Sequence, residues 1–274
     1  METPSRTLSR REAELVSWLE SERRPSVSLT EVRQILGWSD SVARNTISRL
    51  VKKGWLRRTA QGRYETLLAE TGGWSVPNPW AALSTWKQRY YVGLKSAAYE
   101  HNLTPDRPGS VQICVPKGAK PPKAWSDIPI VLIYSQKFDF IGVESRKLHG
   151  FQVNIASPEK VLVDGANLPR RMGGVLGLAR VVHRAADRVD WGTLVYLGTT
   201  SPHGRAGLRR LAALLEILDR EVPVPLAAAA AALPGESSLY LGDRRSHGAY
   251  GKRLQRWQVV INVDPEAIRE EVGR

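Results

Sequence analysis

Between Ser28 and Leu67 the chain reads SLTEVRQILGW, then SDSVARNTISRLVKKGWLRR, then TAQGRYETL. Few folds accept that order of signals. Ser28 and Glu31 form an S-x-x-E capping box that opens a short helix, and Gly37 closes it. Ser39 or Asp40 can cap a second helix, for which Gly54 suits the left-handed C-terminal position. Within it Ala43, Ile47, Leu50 and Val51 recur at helical spacing and should face a core. Two strands follow, Trp55 to Thr59 and Arg63 to Leu67, around a turn at Ala60 to Gly62. Upstream, a helix from Ser9 to about Ser21 repeats the capping box with Glu12 and offers Leu15, Val16, Trp18 and Leu19 to the same core. Three helices and a hairpin in this order predict a winged helix-turn-helix over residues 1–68.

The other face of the second helix carries Ser41, Arg44, Asn45, Ser48, Arg49 and Lys52, and Lys53, Arg57, Arg58 and Arg63 flank it. Asn bonds bidentately to adenine, Arg to guanine, and Ser reaches base edges or phosphate. No Asp or Glu occurs from Ser41 through Tyr64. The expected docking puts this helix in the major groove of double-stranded DNA and the basic hairpin on the backbone. The alternative is a solvated basic helix in a winged helix that binds protein.

The length, 274 residues, suits two domains. The net charge of +13 favours an anionic partner, nucleic acid first and a membrane surface second. Residues 1–70 hold 13 Lys and Arg against 9 Asp and Glu, which leaves +9 for the remainder. Either the second domain also touches nucleic acid or an acidic protein, or the excess is solvated arginine. A lone cysteine, Cys114, in the apolar run Val111 to Val115, reads as a buried strand residue in a reducing cytoplasm. The opening METPSRTLSRREAE lacks an apolar signal region, and the alanine-rich tract Leu226 to Leu233 is too short to span a bilayer. The expected setting is cytoplasmic, at the nucleoid, with no membrane partner.

TGGWSVPNPWAALSTW, rich in Gly, Pro and Trp, predicts a linker or ordered extended arm over residues 69–88. Residues 89–274 then mix helical and strand patterns: a helix near Gly93 to Asn102, strands at SVQICVP, IPIVLIYS, Phe138 to Val143 and Gly150 to Ala156, and a helix capped by Ser157 with Pro158 first. Helical patterns follow Gly173-Gly174, and strands return at SSLYL and RWQVVINVD. The predicted fold class is α+β, a winged helix-turn-helix followed by a mixed α/β domain.

Catalytic signatures are sparse. His101, His149, His183, His203 and His247 are scattered without metal-ligand spacing, so neither a metal nor a cofactor is expected. There is no G-x-S-x-G elbow, P-loop or dinucleotide fingerprint. Asp139 and Glu144 beside Arg146 and Lys147 faintly resemble a metal-dependent nuclease set, but at poor spacing. Glu159 and Asp164 read as helix-dipole partners. Arg170, Arg171, Arg244, Arg245, Lys252, Arg253 and Arg256, with Tyr250 and Trp257 interleaved, form a possible second basic surface for DNA or a protein.

Four segments together resemble the AbiEi family of bacterial regulators, the antitoxins of AbiE-type toxin–antitoxin pairs. They are Gly62-Arg63-Tyr64 in the hairpin, YYVGLKSAAYEHNLTPDRPGSVQICVP, the run with Ser157, Pro158, Glu159, Asp164, Pro169, Gly173 and Gly174, and the strand with Trp257 and Asn262. The chain differs from the usual pattern with Lys160 where Arg or Thr is common. The resemblance implies a non-enzymatic autorepressor that binds repeats in its own promoter and counters a co-encoded nucleotidyltransferase-like, AbiEii-type toxin. An operator of paired repeats would fit two copies, as a homodimer or as cooperating monomers. The alternatives are a repressor whose second domain senses a small molecule and, more weakly, a nuclease.

Overall fold

The computed structural model of the chain describes residues 8–22, 24, 26–67, 78–121, 128–135, 139–201, 204–232 and 239–273. It is a mixed α+β protein with three sheets among the described residues. The chain divides into two compact units, residues 1–88 with 120–130 and 147–153, and the rest.

The first unit runs α1 (Arg10–Ser21), β1 (Ser26–Ser28), α2 (Leu29–Leu36), α3 (Asp40–Lys52), β2 (Leu56–Ala60), β3 (Arg63–Thr66) and α4 (Pro79–Thr85). Both capping boxes form: Glu12 accepts from the Ser9 amide, and Ser28 and Glu31 satisfy one another's backbone. Ser39, rather than Asp40, caps α3 by accepting from the Val42 amide at 3.4 Å. Gly37 and Gly54 take positive φ of 65° and 74°, where an L side chain is strained, and so close α2 and α3. β3 pairs antiparallel with β2 and also with β1, a third strand that sequence patterning does not reveal. Leu15, Leu19, Val32, Ala43, Ile47, Leu50 and Leu56 form one core, with Trp18, Trp38, Val51, Trp55 and Tyr64 packed against it.

The segment expected as a linker or extended arm holds α4 instead. Asn78 caps it, Pro79 takes the first position, and Ala81, Ala82 and Leu83 are buried. Trp74 and the rest of 68–77 lie outside the described residues, as do His203, Leu233 and the start of SSLYL.

The second unit contains β4 (Tyr91–Val92), α5 (Leu94–Glu100), β5 (Val111–Pro116), most of β6 (Ile130–Ser135) and parts of β7 (Val143–Leu148) and β8 (Phe151–Ala156). These strands join in the order β6-β5-β4-β8-β7, with β4 antiparallel to β5 and parallel to β8. The strand expected from Phe138 to Val143 is absent over residues 139–142, which form a turn into β7; Phe138 lies outside the described residues.

Then come α6 (Pro158–Asn167), a 3-10 turn (Pro169–Met172), α7 (Gly174–Ala185), α8 (Trp191–Thr200), α9 (Gly204–Ile217), α10 (Val224–Ala231), β9 (Leu239–Tyr240), α11 (Arg244–His247), β10 (Lys252–Leu254), β11 (Val259–Ile261) and α12 (Pro265–Gly273). α6 is buried from Lys160 through Ala166 and packs against α5, α7, α8 and α9, which makes it the central helix of this unit. β11 pairs with β9 and β10 in a small sheet. No helix among the described residues is long and apolar enough to cross a membrane.

Candidate nucleic-acid interface

Helix α3 has two chemically distinct faces. Ala43, Thr46, Ile47 and Leu50 are buried, and Ser41, Arg44, Asn45, Ser48, Arg49 and Lys52 are all exposed. Spacing forces the division, because residues three and four apart share a face. On the adjoining hairpin Arg58 and Arg63 are exposed and Arg57 is half-buried, as is Lys53 at the end of α3.

The ten residues differ in how far they are committed internally. Arg44 donates through Nε to Asp40 Oδ2 at 2.5 Å, one turn earlier, and Arg33 Nη1 reaches the same carboxylate at 3.3 Å. The hydrogen bond from Arg44, helped by the charges of Arg44 and Arg33, holds Asp40 below the usual carboxylate range. Lys53 pairs with Glu12 Oε2 at 2.7 Å. Burial raises the Glu12 pKa, but the bonds from Lys53 and Ser9 outweigh it and leave the carboxyl below its ordinary range. Arg57 pairs with Glu65 at 2.9 Å, and there burial wins and pushes the Glu65 pKa up. Among the described residues no carboxylate pairs with Arg49, Lys52 or Arg63. The acid-free stretch seen in sequence is thus bounded by Asp40 and Glu65, both of which fold back onto it. Asp40 and Arg44 stand four apart, so that contact was readable; Glu12 with Lys53, 41 residues apart, was not.

The second basic surface separates into two parts. Arg170 Nε lies 3.5 Å from Asp243 Oδ2, which brings the turn carrying Arg170 and Arg171 beside Arg244 and Arg245. Arg244 lies over the Tyr240 ring. Lys252 and Arg253 are exposed on β10, and Arg256 lies over Trp257 with its centre 4.5 Å from the ring.

A closed polar cluster sits within the second unit. Lys160 is 1% exposed; its Nζ lies 3.1 Å from Asp139 and 3.4 Å from Asp164. Tyr91 donates its hydroxyl to Asp164 at 2.8 Å, and Ser201 donates to Asp139. Burial pushes Asp164, Tyr91 and the Cys114 thiol all upward. Asp164 therefore does not serve the helix dipole, as expected from sequence; it is the buried partner of Lys160. Glu159 does lie in the first turn of α6 and accepts from the Asp190 amide. Asp139 faces Lys160, and Glu144 is exposed on β7. His101 is buried and held by Ala156 O at Nε2 and Arg146 at Nδ1, and burial holds its pKa below the usual histidine range. Among the described residues no group of three or more His, Cys, Asp or Glu is placed to hold a metal.

The chain is similar in fold to a crystal structure of the RV2827C protein from Mycobacterium tuberculosis. The TM-score is 0.69 over 99% of this chain and 98% of that one, at 18% sequence identity. At that identity the likeness is one of fold alone. The chain matches no protein-family model and no curated protein.

The residues behind the AbiEi resemblance have structural tasks here. Ser157 caps α6, Gly173 turns the chain at φ 92°, Trp257 is fully buried, and Asn262 accepts from the Gly242 amide at 2.8 Å.

Proposed function

We propose that the first unit is a winged helix-turn-helix that binds duplex DNA, and that the chain is a sequence-specific autorepressor and antitoxin. One observation carries the DNA reading: the whole outer face of α3 is exposed and made of Ser41, Arg44, Asn45, Ser48, Arg49 and Lys52, with Arg58 and Arg63 exposed on the neighbouring hairpin. These side chains supply base-edge donors and acceptors together with phosphate-binding cations, which a protein-docking face would not need in this combination. α3 presents its N-terminal turns to base edges and β2–β3 grips the backbone.

The antitoxin role rests on the resemblance to the AbiEi family, which names a nucleotidyltransferase-like toxin as the partner. In this reading the chain is not an enzyme, needs no cofactor and works on cytoplasmic nucleoid DNA. The Lys160 cluster fits this reading, since its ionisable groups are spent on one another.

The test is a footprint of the purified protein on its own upstream DNA, with random duplex as competitor across a salt series. Discrete protection over repeats that survives competition is the expected result. Salt-sensitive binding without a footprint would reduce the basic face to generic charge. Metal-dependent cutting of the duplex would replace the repressor with a nuclease.

A further inference from the structure

Three arginines of the second unit meet at a cleft of about 570 Å³ lined by Asn167, Arg170, Arg171, Arg210, Gly242 and Asp243 among others. That volume suits a small ligand rather than a macromolecular segment. Arg210, on α9, is fixed from two sides: Nε donates to Tyr240 O at 2.8 Å and Nη1 to Ala166 O at 3.0 Å. A guanidinium has five N–H groups, so three of Arg210's remain beyond these bonds. No carboxylate among the described residues pairs with Arg210 or Arg171. Asp243, the one acid among the described residues of the lining, is engaged with Arg170 and with the Arg245 amide. Arg209, next along α9, also spends itself on carbonyls, those of Trp257 and Gln258. Burial and the charge of Arg209 push Arg210 down to about 10. An uncompensated cation is thus held rigidly in the cleft, with two exposed arginines at its mouth.

We propose that this cleft binds the phosphate group of a small, nucleotide-sized ligand, with Arg210 as the fixed anchor and Arg171 and Arg170 closing on the phosphate oxygens. Guanidinium forks match phosphate bidentately, and three arginines against one carboxylate among the described lining residues favour a dianion over a carboxylate ligand. Duplex DNA would meet the exposed rim arginines, but the recessed Arg210 is reached only by a ligand that enters. The inference does not depend on the DNA reading, which concerns the other unit.

The test is calorimetric titration of the full chain with inorganic pyrophosphate and with ATP at fixed ionic strength. The variants are Arg171→Ala, Arg210→Lys and, as a control of equal charge loss, the exposed Arg184→Ala. Saturable one-to-one binding is expected, weakened about tenfold or more by Arg171→Ala, as befits one lost charge-assisted contact, and unchanged by Arg184→Ala. Should Arg210→Lys fail to fold, Arg171→Ala still decides the matter. Absence of saturable binding by either probe at millimolar concentration overturns the proposal. Equal weakening by Arg184→Ala overturns it too, as does unchanged binding of both probes in Arg171→Ala.

Discussion

Arg44 donates to Asp40 one turn earlier on α3, so a residue offered for base readout is tied, in the free protein, to a carboxylate on the same exposed face. Asp40 restrains Arg44 and, on the proposed DNA reading, would present negative charge toward an incoming phosphate. Asp40→Asn should therefore bind the specific operator several-fold more tightly and random duplex more tightly as well. Arg44→Ala should weaken the operator complex and relax its sequence preference. Competition binding with operator and random duplex measures both; unchanged operator affinity in Asp40→Asn would mean that α3 does not face DNA.

Asn45 and Lys52 share the α3 face but offer different chemistry. Asn45→Ala should cost about 1–3 kcal/mol on the operator and little on random DNA, because a bidentate contact to a base edge carries sequence information. Lys52→Ala and Arg63→Ala should weaken both duplexes alike and flatten the salt slope by about one unit. Equal losses on random DNA for all three would reassign Asn45 to the backbone.

Lys52 and Lys53 are neighbours with opposite tasks. Lys53 neutralises Glu12, which is 1% exposed, whereas Lys52 is exposed without an ion pair among the described residues. Removing one partner of a buried pair costs about 3–5 kcal/mol, and the partial exposure of Lys53 lowers the expected penalty to about 2–3 kcal/mol. Lys53→Ala should thus lose stability in urea unfolding at neutral pH, while Lys52→Ala unfolds like the parent protein. DNA binding lost in Lys53→Ala would then report damage to the unit, not a missing phosphate contact.

Two carboxyls give pH dependences of opposite sign. Glu12 is held below its unfolded value, so its stabilisation is present above about pH 4.3 and lost as pH falls through the folded value. Burial raises Asp164 above its unfolded value, so its contribution is fullest below about pH 3.9 and declines as pH rises through the folded value. Urea titrations from about pH 3 to pH 7 should show the parent's advantage over Glu12→Gln growing with pH. Its advantage over Asp164→Asn should shrink over the same range. Parallel profiles for the two variants would contradict the assigned directions.

Local grammar made the first unit legible. Ser9, Ser28 and Ser39 before helices, Gly37 and Gly54 after them, and the spacing of Ala43, Ile47 and Leu50 all act within a few residues, and each appears where the sequence puts it. β1 escaped notice because three residues, Ser-Val-Ser, carry no alternation and become a strand only through β3. α4 was hidden by its Gly-, Pro- and Trp-rich surroundings, although Asn78-Pro79 is a sound helix start. In the second unit the basic residues were visible one by one. Arg210 as the anchor of a cleft was not, because it depends on contacts to Ala166 and Tyr240, 44 and 30 residues away. Lys160 likewise reads as an ordinary helix cation until Asp139 and Tyr91 close around it.

If DNA readout resides on α3 and toxin neutralisation in the second unit, the two should separate by mutation without cutting the chain. Cutting is a poor test, since residues 120–130 and 147–153 belong to the first unit and a fragment from residue 89 would carry them without their partners. Asn45 and Arg49 are exposed and have no ion pair among the described residues, so Asn45→Ala/Arg49→Ala should fold normally. In cells expressing the co-encoded toxin, with the double variant supplied from an unrelated promoter, growth should be rescued as fully as by the parent chain. A reporter under the native promoter should be derepressed in the same cells. Loss of rescue together with repression, in a variant that folds and accumulates normally, would tie neutralisation to DNA binding and remove the second unit as its seat.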